Sequence, residues 1–184
     1  MQLFRISDEI YIIQNFWSPE KCDAFIKKSE EIGYRNATID SGRGQKIVKH
    51  VRNNKRVMYI DTELAADIWK DLSPLVPQSI GNSNVTGLNE MFRFYRYNPK
   101  EEFKLHRDQS FIRNEQEASY YTFMIYLNDN FEGGETTFAN NSIRPSTGMA
   151  LIFLHSLEHA GSPIIKGTKY VLRTDIMYRL EEGE

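Results

Sequence analysis

The chain has 184 residues, of which 40% are hydrophobic, 26% charged and 12% aromatic, so it can build a core and is not a disordered polymer. With 23 basic and 25 acidic residues the formal charge is −2, which argues against a protein that coats nucleic acid. The single cysteine, Cys22, excludes a disulfide within the chain and any zinc site built from several cysteines.

Residues 3–16 read as two short β runs around Ser7-Asp8-Glu9. Ser18-Pro19-Glu20 is a helix start, with a hydroxyl N-cap, proline at the first position and an acid near the positive end of the dipole. Cys22, Phe25, Ile26, Ser29 and Ile32 follow at helical spacing, and Gly33 stops the helix. Residues 35–50 are polar, and Ser41-Gly42-Arg43-Gly44 is expected to form a mobile loop. Val51 to Ile60 is a predicted strand, and Asp61 or Thr62 caps a second helix through Leu64, Ala65, Ile68 and Trp69. From residue 88 the pattern is β: Phe92 to Tyr97, Tyr120 to Leu127, Thr136 to Phe138 after the Gly133-Gly134 turn, Met149 to Leu154, and Tyr170 to Tyr178. Helices first and short strands afterwards predict an α+β, mainly β, single domain over 1–184: an N-terminal support (1–87) on a sandwich or double-sheet barrel (88–179). No apolar run approaches the ~18 residues of a membrane span. Met1-Gln2-Leu3-Phe4-Arg5, with Asp8 and Glu9 close behind, does not read as a signal peptide, so the expected location is cytoplasmic, with no membrane and no nucleic-acid partner.

The chain has four histidines, His50, His106, His155 and His159. If His106-Arg107-Asp108 lies in a strand, His106 and Asp108 point the same way, because strand side chains alternate. His159 falls two β elements downstream, near enough in the fold to return alongside. Two histidines and one carboxylate leave open positions on a metal, as in the facial triad of non-haem Fe(II) oxygenases. Zinc is the chemical alternative, although there is no HExxH helix. Lys169, Arg173 and Asp175 share one face of the last strand, and a buried base among them could pair with the far end of a dicarboxylate. With the triad complete, His155 reads as structural support and His50 as a loop residue. Val51-Arg52-Asn53-Asn54-Lys55-Arg56 is a basic patch, either a solvated turn or a substrate-facing lip that includes Arg52.

Residues 88–179 resemble the catalytic domain of the iron- and 2-oxoglutarate-dependent dioxygenases, nearest to the prolyl 4-hydroxylase-like branch. The stretches that carry this are Tyr95-Arg96-Tyr97-Asn98-Pro99, Phe103-Lys104-Leu105-His106-Arg107-Asp108 and Tyr126-Leu127-Asn128-Asp129, followed by Glu132-Gly133-Gly134-Glu135-Thr136 and Pro145-Ser146-Thr147-Gly148. His159-Ala160-Gly161-Ser162-Pro163 and Gly167-Thr168-Lys169-Tyr170 complete the set. The resemblance implies a double-stranded β-helix (jelly-roll) core with supporting N-terminal helices. It implies Fe(II) on His106, Asp108 and His159, and the distal carboxylate of 2-oxoglutarate on Lys169, assisted by Tyr126, with Tyr97 lining the cosubstrate pocket. Arg173 departs from the small or polar residue commoner there in prolyl hydroxylases; it could hold the metal-side carboxylate, meet a substrate acid or pair with Asp175.

The implied reaction is hydroxylation of a C–H bond with Fe(II), 2-oxoglutarate and O2, releasing succinate and CO2, with ascorbate as a further candidate. The carboxylate of Asp108 leaves no room for a halide, which disfavours halogenation. A prolyl or other protein side chain is one substrate class. A free amino acid or small metabolite is the other, and Arg173 and Asp175 would suit a zwitterion. A non-catalytic metal-binding jelly roll is the reading of a different kind, and on any of these readings the chain is expected to be a monomer or homodimer.

Overall fold

A computed structural model of the protein describes residues 1–40, 45–48 and 50–181; the predicted glycine loop Ser41–Gly44 lies outside them. The described residues are mainly β, with two α-helices whose buried residues join one core cluster of the sheet. Helix α1 (Pro19–Ile32) begins where Ser18 Oγ accepts from the Lys21 amide and ends at Gly33, whose φ of 91° suits the missing side chain. Cys22 and Ser29 face inward, whereas Ile32 is exposed, so the apolar face is a turn shorter than its spacing predicts. Helix α2 (Thr62–Leu72) is capped by Asp61, which accepts from the Leu64 amide at 2.8 Å, and it buries Leu64, Ala65, Ile68 and Leu72.

The organising element is the strand Lys169–Leu180, two residues longer at its C-terminal end than the predicted Tyr170–Tyr178 run and starting one earlier. Along one edge it pairs with Glu117–Tyr126. Along the other it pairs first with Met91–Tyr97 and then with Ser83–Leu88. Outward from there the sheet continues through Ala150–Leu154 to the hairpin of Ile10–Gln14 and Gln2–Arg5, and on the opposite flank through Lys55–Ile60 to Arg35–Asn36. Residues 1–87 therefore contribute strands to this sheet as well as the helices. The predicted Val51–Ile60 strand starts only at Lys55, because Val51 and Arg52 turn back to hydrogen-bond the Val48 carbonyl.

A second, four-stranded sheet of Phe103–His106, His159–Gly161, Thr136–Phe138 and Ser142–Ile143 faces the first. The two together form the jelly-roll core. Among the described residues no helix is long and apolar enough to cross a membrane.

Strand parity divides the interior in two. Phe92, Phe94, Phe123, Ile125, Ile152, Leu172 and Ile176 pack toward the helices in one cluster. Tyr95, Tyr97, Tyr126, Leu151, Phe153 and Val171 face the second sheet in another. Sheets buried on both faces read as near-continuous apolar runs, and a polar residue inside such a run marks the face where chemistry can be done. Thr122, Lys169 and Arg173 are three such interruptions, and all three line the cavity between the sheets.

Candidate metal and cosubstrate site

His106 ends the strand Phe103–His106, and Asp108 lies beyond it. The two were expected to share a strand face. Instead the chain leaves the ladder after His106, and Asp108 is held by side chains of the large sheet. His159 opens the neighbouring strand and pairs in register with His106. Ligand-type atoms of His106, Asp108 and His159 all lie within 4.8 Å of one another.

Both imidazoles have a defined tautomer. His106 Nδ1 donates to the Lys104 carbonyl (2.7 Å) and His159 Nδ1 to the Leu157 carbonyl (3.1 Å). Each Nε2 is thus left with a lone pair, and each stands 3.7 Å from an Asp108 oxygen. Orientation of one ring nitrogen by a backbone carbonyl is how proteins prepare the other for a metal. Burial, reinforced by His159, lowers the His106 pKa to about 4, and burial also lowers that of His159, so both are neutral at physiological pH. Burial opposes charge on Asp108, but Arg173, His159 and His106 outweigh it and hold the carboxyl well below the usual range. Two neutral imidazoles and one carboxylate fit a hard-to-borderline divalent cation such as Fe(II).

Behind Asp108 runs a buried polar chain. The Thr122 hydroxyl donates to Asp108 Oδ2 at 2.6 Å and receives His155 Nδ1 at 3.0 Å, while His155 Nε2 meets the Ser119 hydroxyl at 2.9 Å. His155 thereby supports Asp108 through Thr122. Thr122→Val keeps the shape but removes the hydroxyl, leaving Asp108 and His155 each short of a partner. Divalent-metal affinity should fall ~10–100-fold, measured by Mn(II) titration, because outer-shell partners carry losses of that size.

Arg173 closes the site from the large sheet. Its guanidinium contacts Asp108 and Asp175, each at 3.1 Å, and reaches the Tyr95 and Thr122 hydroxyls at 3.4 Å. Asp175, expected to face substrate, does not: it is 1% exposed, lines neither cavity at the site, and is spent on Arg173, Arg93 and Asn89. Cross-strand register explains this, since Thr122 lies opposite Asp175 and Arg93 opposite Arg173.

Lys169 sits deeper in the same cavity and is 3% exposed. Its Nζ donates to the Gly134 carbonyl at 2.5 Å, and no carboxylate lies within ion-pair distance among the described residues. Burial lowers its pKa to about 7. Gly134 has a φ of +72°, and a Cβ there would come within 2.5 Å of Ile164, so glycine is required to present that carbonyl. Tyr97 lines the cavity as expected. Tyr126 does not line it; its hydroxyl bonds Thr136 Oγ1 at 2.6 Å, and Thr136, which sequence reasoning passed over, presents the polar atom to the cavity. A lone threonine after a glycine turn carries no signal that would single it out. His50 lies in a turn and is exposed, outside the site.

Residues 92–174 match the family model described as the 2OG-Fe(II) oxygenase superfamily. The match covers 83 of the 184 residues and includes His106, Asp108, His159, Lys169 and Arg173. Over 89% of its length the chain is 23% identical to prolyl 4-hydroxylase 1 of Arabidopsis thaliana, of which 67% is covered. Its fold is similar to that of the viral collagen prolyl hydroxylase of Paramecium bursaria chlorella virus 1, solved with 2OG. That likeness has a TM-score of 0.65 at 19% identity, over 95% of this chain and 98% of that one. A Trichoplax adhaerens prolyl hydroxylase, solved with a peptide fragment of hypoxia inducible factor, aligns with a TM-score of 0.69 at 19% identity, over 95% and 84%.

A second cleft, of about 310 Å³, opens from the cluster of His106, Asp108 and His159 toward Val51 and Thr38, and Arg52 and Arg173 both line it. Arg52, on the predicted lip, is brought there by the segment 51–53. That segment runs beside Phe103–Lys104, with an Arg52–Phe103 bridge and a Lys104 amide bonded to the Val51 carbonyl.

Proposed function

We propose that this protein is an Fe(II)- and 2-oxoglutarate-dependent oxygenase that hydroxylates a C–H bond of a prolyl or other protein side chain, holding Fe(II) on His106, Asp108 and His159 and the distal carboxylate of 2-oxoglutarate on Lys169. The observation that carries this reading is Lys169. A buried ammonium costs several kcal/mol unless it is paired, yet among the described residues this one has the Gly134 carbonyl as its hydrogen-bond acceptor, the Tyr97 and Tyr126 rings 5.5 and 5.3 Å away and Glu135 beyond ion-pair distance, and it shares its cavity with three convergent ligand atoms. A dianion that spans from the cluster to Lys169 satisfies both ends at once. Peptide substrates are supported by the named prolyl hydroxylase relatives.

Bound Fe(II) with 2-oxoglutarate supplies the oxidising power to place an oxygen atom of O2 on a C–H bond. The chain's own groups do the positioning. Carbonyls of Lys104 and Leu157 fix the two imidazoles, while Arg173 and Thr122 fix the Asp108 carboxylate. Tyr97, Phe153, Val171 and Met124 wall the cavity with apolar surface, which excludes water and strengthens the Lys169 charge-assisted contact.

Succinate formation from 2-oxoglutarate with Fe(II) and ascorbate, with a chelator as control, tests the reading. Metal-dependent succinate is the expected result, rising when a suitable prolyl peptide is added. Failure to bind either Mn(II) or 2-oxoglutarate would remove it.

A further inference from the structure

The cleft beside His106, Asp108 and His159 is lined by Arg52, Arg56, Arg93, Arg107 and Arg173, and among the described residues its one lining carboxylate is Asp108. Three of these arginines have acids: Arg93 and Arg173 hold Asp175, and Arg107 lies 3.6 Å from Glu158. Arg52 and Arg56 have none within ion-pair distance among the described residues. Arg52 is 4% exposed. Its Nε donates to Asn54 Oδ1 at 2.7 Å, and its buried Nη2 has no partner. Its guanidinium is clamped between the Tyr95 ring (4.5 Å) and the Phe103 ring (4.3 Å). Arg56 donates to Thr38 Oγ1 at 2.9 Å.

Packing these cations together without acids is unfavourable, and the cost shows in their neighbours. Burial alone would raise the Tyr95 phenol, yet Arg173, Arg52 and Arg93 bring its pKa down to about 8. Burial and the neighbouring arginines lower that of Arg56. A fold retains such a cluster when something anionic completes it. A planar guanidinium clamped between rings has lost its rotamer freedom already, so it can take a carboxylate with little further ordering. The clamp is also coupled to the chemistry: the Phe103 ring that covers Arg52 stacks on the His106 imidazole, with centroids 3.4 Å apart. The Arg52 guanidinium is therefore separated from a candidate metal ligand by the Phe103 ring.

We propose that the primary substrate carries a carboxylate, seated by Arg52 and Arg56, beside the carbon that is hydroxylated. This rests on the oxygenase reading and adds the charge class of its substrate. The carboxylate can be an acidic side chain flanking the target residue of a peptide, or the carboxylate of a free amino acid.

The test is equilibrium binding to the full chain loaded with Mn(II) and 2-oxoglutarate. One arm uses prolyl peptides with blocked ends, in which Glu is walked through the flanking positions, against the same peptides carrying Gln. The other compares free L-proline with L-prolinamide. The expected result is at least a tenfold preference for the acid in one arm, falling to about twofold or less in both Arg52→Gln and Arg56→Gln, and partly retained in Arg52→Lys. Arg56→Gln keeps the test sharp should Arg52→Gln disturb the ring clamp. A preference in the peptide arm identifies an acidic peptide, and one in the amino-acid arm a small acid; either supports the proposal. Equal binding of acid and amide in both arms, or a preference that survives both substitutions, overturns it. Wild-type succinate formation without primary substrate is read separately, so a failed oxygenase reading and a failed charge preference give different results.

Discussion

Replacing Lys169 with methionine should weaken 2-oxoglutarate binding by roughly two to three orders of magnitude while leaving Mn(II) affinity nearly unchanged. Losing one partner of a buried charge pair costs ~2–5 kcal/mol, and each ~1.4 kcal/mol is tenfold. The same substitution should raise the melting temperature of the ligand-free protein, because it removes a buried charge whose one hydrogen-bond acceptor is the Gly134 carbonyl. A few kcal/mol would appear as roughly 5–10 °C in a domain of this size. A residue that merely stabilised the fold would do the opposite, so calorimetry with and without 2-oxoglutarate separates the two roles.

The pH dependence follows from the same group. Lys169 has a folded pKa of about 7, below the ordinary lysine value, so the unfolded chain holds the proton more tightly. Stability of the ligand-free protein should therefore rise with pH from about 7 upward, until the unfolded lysine also titrates. 2-Oxoglutarate requires the ammonium, so its affinity should fall over the same range and its binding should take up a proton. Isothermal titration in buffers of different ionisation enthalpy measures that uptake, and Lys169→Met should abolish it.

Local features of this fold are legible in the sequence because their causes are local. The Ser18 and Asp61 caps depend on residues three positions apart, and strand parity put Lys169 and Arg173 on one face without knowledge of their neighbours. The jelly roll was legible through the ordered motifs from Tyr95 to Tyr170. What depends on register between distant strands was not. Asp175 shares parity with Arg173, but the pairing of Thr122 with Asp175 and of Arg93 with Arg173 turns it into a buried brace. The same non-local cause puts Thr136 in the cavity in front of Tyr126, and brings Arg52 onto Phe103. Asp108 reached the histidines by another route than a shared strand face, and only the partners Thr122 and Arg173 reveal it.

Arg173→Met should be the most destabilising substitution at the site, and divalent metal should reverse much of the damage. Arg173 is buried between Asp108 and Asp175, and its removal leaves both carboxylates in low dielectric. Breaking a buried ion pair from one side costs ~3–5 kcal/mol, or about 10 °C here. Asp175 keeps Arg93 at 3.1 Å and suffers less. Asp108 keeps only the Thr122 hydroxyl and two neutral imidazoles, so most of the penalty falls on it. A divalent cation on His106, Asp108 and His159 restores the missing positive charge at that carboxylate. Saturating Mn(II) should accordingly raise the melting temperature of Arg173→Met by more than it raises that of the wild type. In the double variant Arg173→Met with Asp108→Asn, the extra metal response should vanish, since the carboxylate that needs compensation is gone. Equal metal-induced shifts in wild type and Arg173→Met would mean that Asp108 does not meet the cation, and that Arg173 braces the sheet through Asp175 alone.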